Sequence, residues 1–411
     1  MEKKLNNLFK GDKIIWMVFF FLCVISIIEV FSASSGLTYK SNNYIMPIIK
    51  HSGTLIFGTL IVVATLNIPC RYFKLMTPML LLVSFVMLVL VLFIGEKTNG
   101  ASRQMSILGM SMQPSEIAKG SLVLAVAQIL SAMQQENGAA RKAFKYILCL
   151  TAPMAFLIMI ENLSTAVLLC FVIFLMMIIG RVPAKQLGKL MGWVALAVFT
   201  VVMLVMLVGH DTSKDKGTLA KTEQVETKPK ERGTLGKIFH RADTWKTRMV
   251  KFNDDNEVSP DEYDLDKDAQ VAHANIAIVS SNYIGKGPGN SDERDFLAQA
   301  FSDFIYAIII EELGLLGAGG VVMLYVILLF RTAIIASRCE NNFPAFLAMG
   351  LALLLVAQAT FNMAVAVGFV PVTGQPLPLI SKGGTSTVIN CVYIGAILSV
   401  SRSAKKKTAA V

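Results

Sequence analysis

Apolar residues in this chain come in long unbroken runs, separated by short polar segments rich in lysine and arginine. A helix needs roughly 20 such residues to cross about 30 Å of hydrocarbon. The runs predict spans near Ile14–Ser32, Ile45–Leu66, Met76–Ile94, Pro114–Ala132 and Tyr146–Ile160. Five more are predicted near Leu163–Ile179, Leu190–Val208, Tyr306–Leu329, Phe346–Val367 and Thr385–Val400. The expected fold is therefore all-α: one polytopic membrane helix bundle over residues 1–411, with about ten transmembrane helices. One long hydrophilic stretch, 209–302, breaks the rhythm as a large loop between the seventh and eighth spans.

Inside that loop, Asp211–Arg241 mixes Lys, Glu, Thr and Gly without periodicity and predicts a flexible excursion. From Asp268 to Tyr283, the spacing of Val271, Ala274 and Ile278 predicts an amphipathic helix lying along the membrane. No internal repeat stands out, which gives an inverted-repeat transporter no support.

Composition agrees. The 411 residues are 54% hydrophobic and 16% charged, against roughly 25% charged in soluble chains. The net charge of +10 is spread as punctuation between apolar runs, so the expected partner is a bilayer and not a nucleic acid. Basic residues also set the orientation. Lys3, Lys4, Lys10 and Lys13 precede the first span, and Arg402 with Lys405, Lys406 and Lys407 follow the last. Alternate loops carry Arg71 and Lys74, then Arg141, Lys142 and Lys145, then Arg181, Lys185 and Lys189, then Arg331 and Arg338. Both termini are expected in the cytoplasm and the large loop outside. The first run has no small-residue cleavage site and reads as a first span, not a signal peptide. The six cysteines lie in apolar runs or short cytoplasmic loops, so neither disulfides nor zinc is expected.

Polar groups at membrane depth are costly, and they mark the candidate chemistry. Glu116 and Lys119 share a face of the fourth span and can pair, either as a structural ion pair or as cavity-lining charges. Arg103 precedes them at the same depth. Asp303 begins the eighth span; it is either a helix-start carboxylate favoured by the dipole or a base at the membrane–water boundary. Glu311 and Glu312 follow two turns deeper, expected to pair with other helices or line the same cavity. The Pro371–Ser386 connection holds three prolines and three glycines with Lys382, so it cannot be regular helix. Such backbone at depth must be buried in protein or line a cavity, which makes the outer face a candidate cleft.

Two patterns fail. Asp264, Asp266 and Asp268 imitate a calcium loop, but Ala269 and Asn275 stand where glycine and the closing glutamate are required. Gly285, Gly287 and Gly289 imitate a phosphate turn, yet Pro288 interrupts them and no strand precedes. His273 has no partner set in sequence and reads as surface.

Four motifs in order resemble the shape, elongation, division and sporulation (SEDS) family, which includes FtsW and RodA. They are Gly100-Ala101-Ser102-Arg103; Gln113-Pro114-Ser115-Glu116 with Lys119; Ser302-Asp303-Phe304-Ile305-Tyr306-Ala307 with Glu311-Glu312-Leu313-Gly314; and Leu377-Pro378-Leu379-Ile380-Ser381 with Gly383-Gly384-Thr385-Ser386. The resemblance covers nearly the whole chain. It implies a peptidoglycan glycosyltransferase of the bacterial inner membrane that polymerises lipid II onto an undecaprenyl-linked glycan. It aligns the family's essential aspartate with Asp303, and its cavity residues with Arg103, Glu116 and Lys119. It also implies a class B penicillin-binding transpeptidase and other division proteins as partners, and leans toward the division branch over the elongation branch. In this reading Asp303 is the general base, and Arg103, Lys119, Lys382 or a divalent ion (magnesium or manganese) stabilise the leaving diphosphate. Glu311 is counted with the cavity, and no organic cofactor is expected. The rival functions are a lipid II flippase and a non-catalytic divisome scaffold. Three positions depart from the family pattern: Gln104 where tryptophan is usual, Asn162 where aspartate is usual, and Lys382 where an aromatic residue is common.

Overall fold

The computed structural model describes residues 10–39, 46–94, 96–98, 101–107, 110–136, 138–208, 269–297 and 300–404. Each of the ten expected spans coincides with a helix. In chain order these are α1 Lys13–Tyr39, α2 Met46–Leu66, α3 Cys70–Ile94, α4 Pro114–Ala132, α5 Arg141–Glu161, α6 Leu163–Ile179 and α7 Ala184–Val208. After the loop come the short helix α8 Ala269–Val279, then α9 Ile305–Ser337, α10 Asn342–Ala366 and α11 Thr385–Ser403. Seven helices among the described residues are long and apolar enough to cross a membrane, and α6, at 17 residues, is shorter. The flexible excursion expected at Asp211–Arg241 and the acidic run Asp264–Asp268 lie outside the described residues. The chain divides into two compact units, 1–183 with 265–411, and Ala184–Asp264 with α7.

Within the first unit, α4 and α10 form the centre. Their apolar stretches are 72% and 61% buried in protein, whereas those of α2, α3, α5 and α9 do not exceed 28%. Small residues let neighbours close in, as membrane helices without a hydrophobic drive to associate require. A methyl added at Gly58 of α2 would sit 2.6 Å from Cys391 Sγ on α11. One at Gly395 would sit 2.7 Å from Thr65 Cβ, on α2. At one end, Asp12 accepts from the amides of Ile14 and Ile15, capping α1, and its other oxygen meets Arg331 of α9 at 2.7 Å.

A small antiparallel sheet, not expected from sequence, joins α3 to α4. Its strands are β1 Glu96–Thr98, β2 Ala101–Ile107 and β3 Met110–Met112, in the order β1-β2-β3. Arg103 and Gln104 lie on β2, but their side chains are outside the described residues.

The α10–α11 connection is irregular, as its prolines and glycines dictate. Gly374 and Leu379 both take positive φ, at 68° and 67°. Its backbone is satisfied from three helices, and a fourth meets one of its side chains. Asn362 and Gln358 of α10 donate to the carbonyls of Gln375 and Pro376, at 2.7 and 3.1 Å. Tyr325 of α9 donates to Pro378 O, and Ser26 of α1 to Ile380 O at 2.7 Å. Thr165 of α6 accepts from Gln375 Nε2 at 2.7 Å. Buried carbonyls away from water need such partners.

Asn162, the departure at the α5–α6 break, is the N-cap of α6. Its Oδ1 accepts from the amides of Ser164 and Thr165 at 3.1 and 3.4 Å. Asparagine and aspartate cap equally well, so this substitution keeps the local geometry. Asn162→Ala is expected to lose about 1 kcal/mol and Asn162→Ser to recover most of it. Thermal unfolding of the detergent-solubilised protein reads both, and an alanine variant melting like wild type would remove the capping argument.

Candidate active site

Asp303 stands just before α9, one residue ahead of the N-cap residue Phe304. It is therefore not itself the cap, and the residue is half-buried. Ser302 Oγ donates to Asp303 Oδ1 at 3.0 Å. The backbone of this stretch is held by three successive carbonyls. Phe301 O accepts from Lys382 N at 3.0 Å, Ser302 O from Ser381 Oγ at 2.6 Å, and Asp303 O from Asn362 Nδ2 at 2.8 Å. The structure thus brings Asp303 and the proline-rich connection together. Lys382 also returns its ammonium over the Phe301 ring, 4.9 Å from the centroid, in a cation–π contact.

Glu116 and Lys119 form the ion pair that their spacing on α4 predicts, at 2.8 Å and with both side chains almost wholly buried. Lys119 Nζ also donates to Gln358 Oε1 at 2.7 Å, and Ser386 Oγ of α11 reaches Glu116 Oε2 at 3.5 Å. Tyr393 of α11 donates to the Glu116 carbonyl at 2.7 Å. The pair therefore joins α4, α10, α11 and, through Gln358, the connection.

Glu311 and Glu312 receive the loop that carries Gly285, Gly287 and Gly289. Lys286 Nζ meets Glu311 Oε1 at 2.7 Å and Asp292 Oδ2 at 2.8 Å. Ser291 Oγ donates to Glu311 Oε2, and the amides of Gly289 and Ser291 donate to Glu312 at 2.9 and 3.3 Å. Ser32 of α1 donates to Glu312 Oε1. This docking breaks α9 at Gly314, whose φ of 68° and ψ of −174° are non-helical. A methyl on Gly285 would lie 2.3 Å from Glu312 O, so only glycine fits there. His273, read from sequence as a surface residue without partners, is instead partly buried, 2.6 Å from Glu293 and stacked on Phe296. The partner lies 20 residues away across a turn, which spacing alone does not reveal.

Among the described residues no three His, Cys, Asp or Glu side chains converge as a metal site.

A family model described as cell cycle protein, of the FtsW/RodA/SpoVE type, matches residues 12–226 and 234–406. The chain belongs to the SEDS family. Among SEDS relatives, a probable peptidoglycan glycosyltransferase FtsW of Halomonas elongata is 29% identical, covering 86% of this chain and 80% of its own. Its counterpart in Coxiella burnetii is 27% identical, covering 97% and 98%. The fold is shared with a chain of a peptidoglycan synthase complex, solved to show how polymerization and crosslinking are coordinated (TM-score 0.69, 23% identity, 95% and 98% covered). It is shared too with the rod shape determining protein RodA of Thermus thermophilus (TM-score 0.65, 21% identity, 98% and 100% covered). SEDS membership and the apolar helices make this a multi-pass membrane protein.

Two expectations follow from the geometry. Lys119→Met leaves Glu116 buried without its cation and should cost about 3–5 kcal/mol, while Glu116→Gln with Lys119→Met should recover most of it. Unfolding in detergent of Lys119→Met, Glu116→Gln and the double variant measures the cycle; losses that simply add would show that the pair is not coupled.

The loop contact is pH-dependent. Hydrogen bonds to Asp292 and then Glu311 hold Lys286 above the usual lysine pKa, and the bond from Lys286 holds Asp292 below its usual value. The lysine contribution is complete below pH 10.5 and is lost as pH rises through the raised value. The aspartate contribution is complete above pH 3.8 and is lost as pH falls through the lowered value. Protection against hydrogen exchange across 283–294, taken relative to the intrinsic amide rate at each pH, should be highest between these limits, and a protection that does not change with pH would contradict the linkage.

Proposed function

We propose that the chain is a peptidoglycan glycosyltransferase of the division type, which polymerises lipid II into β-1,4 glycan. The observation that carries this reading is a half-buried aspartate, Asp303, on backbone clamped at three consecutive carbonyls. A general base works only when it is held within hydrogen-bond reach of the proton it removes. Membership of SEDS, and the activity named for the FtsW relatives, supply the substrate class.

The acceptor lipid II presents the 4-hydroxyl of its N-acetylglucosamine to Asp303. The carboxylate takes the hydroxyl proton as the oxygen bonds to the anomeric carbon of the lipid-linked glycan. The bond from that carbon to the diphosphate breaks with its electron pair, and undecaprenyl diphosphate leaves. One in-line displacement on an α-linked donor inverts the centre and gives the β-linkage. Lys382, whose ammonium lies over the Phe301 ring, is the cation proposed to meet the diphosphate, and Arg103 of β2 stays a second candidate from its sequence motif. Lys119 is committed to Glu116 and Gln358, so it acts through the architecture of the site. Glu311 is likewise committed, to Lys286 and Ser291.

The reading places both termini in the cytoplasm and Asp303 on the outer side of a bacterial inner membrane. A class B penicillin-binding transpeptidase fits as the crosslinking partner, in line with the synthase complex whose fold is shared. The test mixes purified protein and its transpeptidase with labelled lipid II in detergent, where no translocation is needed. Glycan ladders are expected, falling about 10²–10⁴-fold in Asp303→Ala. Ladders that survive in Asp303→Ala would overturn the assignment of the base. No ladders, with lipid II transport intact in vesicles, would mark a flippase, and neither activity would mark a scaffold. Depletion in cells separates the branches: filaments for division, rounding for elongation.

A further inference from the structure

We infer that Asn362 of α10 is a positioning residue for Asp303; the inference rests on the glycosyltransferase reading above. Its side-chain amide is 1% exposed and sits between two carbonyls, Asp303 O at 2.8 Å and Gln375 O at 2.7 Å. A carbonyl can only accept, so these two neighbours fix which end of the amide faces them: both bonds need the NH2 group. Asn362 is thus a two-armed donor that ties the start of α9 to the proline-rich connection.

The reason for such a tie lies in where α9 begins. The first helical residue is Ile305 and the N-cap is Phe304, so the carbonyls of Phe301, Ser302 and Asp303 lie ahead of the helical ladder. Nothing inside α9 would hold them. Lys382 N, Ser381 Oγ and Asn362 Nδ2 take one each. The first two belong to the connection itself. Asn362 alone of the three stands on a regular helix, one of the two most buried in the bundle. It also holds the connection at Gln375, so it references both irregular pieces to one helix. A base on a turn before a helix takes its direction from its own peptide, and small displacements of a reacting group carry large rate penalties. Asn362 does not touch the reacting atoms. It acts through the Asp303 backbone.

The experiment compares wild type, Asp303→Ala, Asn362→Leu and Asn362→Asp as full-length protein with the partner transpeptidase, using initial rates of lipid II consumption and thermal midpoints. Leucine keeps the volume and removes both donors; kcat should fall roughly 10- to 100-fold with KM within about twofold of wild type. Aspartate puts an acceptor and a negative charge beside the Asp303 peptide, and a like charge raises the pKa of a carboxylate. The acid limb of the pH–rate profile should therefore move to higher pH. A lowered midpoint with wild-type kcat per folded molecule would mean that Asn362 is only structural, and would overturn the inference. If the leucine variant does not fold, the aspartate variant decides, and an unmoved acid limb overturns it. An inactive wild type, or an active Asp303→Ala, would instead remove the glycosyltransferase reading and this inference with it. An active wild type, an inactive Asp303→Ala and wild-type kcat in both Asn362 variants would overturn the inference alone and leave the glycosyltransferase reading standing.

Discussion

A bilayer offers no water to an amide or a carboxylate, so every polar group at membrane depth must be satisfied by the protein itself. The ion pair of Glu116 and Lys119 is where this constraint is met most fully. Isolated, either charge would be expelled. Together, and joined to Gln358, they become a fixed polar node inside the most buried helix of the bundle. Gln358 then turns its amide toward Pro376 O, so the charge pair organises irregular backbone on the next element. A chain of contacts runs from α4 through α10 into the connection, and from the connection to the carbonyls ahead of Asp303. The site depends on a buried pair that need never meet substrate.

That arrangement explains how a stretch with three prolines and three glycines can sit among packed helices. Proline removes donors and glycine removes side chains, leaving carbonyls that require outside partners. Ser26, Tyr325, Gln358 and Asn362 supply them from three helices, each hydroxyl or amide aimed at one carbonyl. The result is a segment rigid without being regular. Lys382 and Ser381 at its end can therefore act as fixed points for the turn carrying Asp303.

The helices were legible because their signal is length and hydropathy, which a sequence states directly. Asp303, Glu116 and Lys119 were legible for a related reason, since charge in an apolar run is conspicuous. The pairing of Glu116 with Lys119 followed from helical spacing alone. The reception of Lys286 by Glu311 was not visible, because it joins residues 25 apart through a loop whose path depends on positive-φ glycines. The strands between α3 and α4 were too short for periodicity to register, although Met105 and Ile107 do alternate. Asn362 and Gln375 were missed for the opposite reason to Asp303: neutral amides within apolar helices and loops raise no alarm, and only the fold brings Asn362 Nδ2 between the Asp303 and Gln375 carbonyls.

The departures from the family pattern divide by what the residue does. Asn162 keeps the function of an aspartate at a helix start, because a cap uses one side-chain oxygen and no net charge. Lys382 changes more. Where an aromatic residue would offer a face to Phe301, the lysine lays its ammonium over the same ring, at 4.9 Å, and keeps a contact of similar shape. It also places a positive charge on the connection, at the residue whose amide holds the Phe301 carbonyl. The substitution at this position thus alters electrostatics and leaves packing in place. A residue can depart from its family in type and still preserve the geometry, provided that the atoms its neighbours require are the ones it retains.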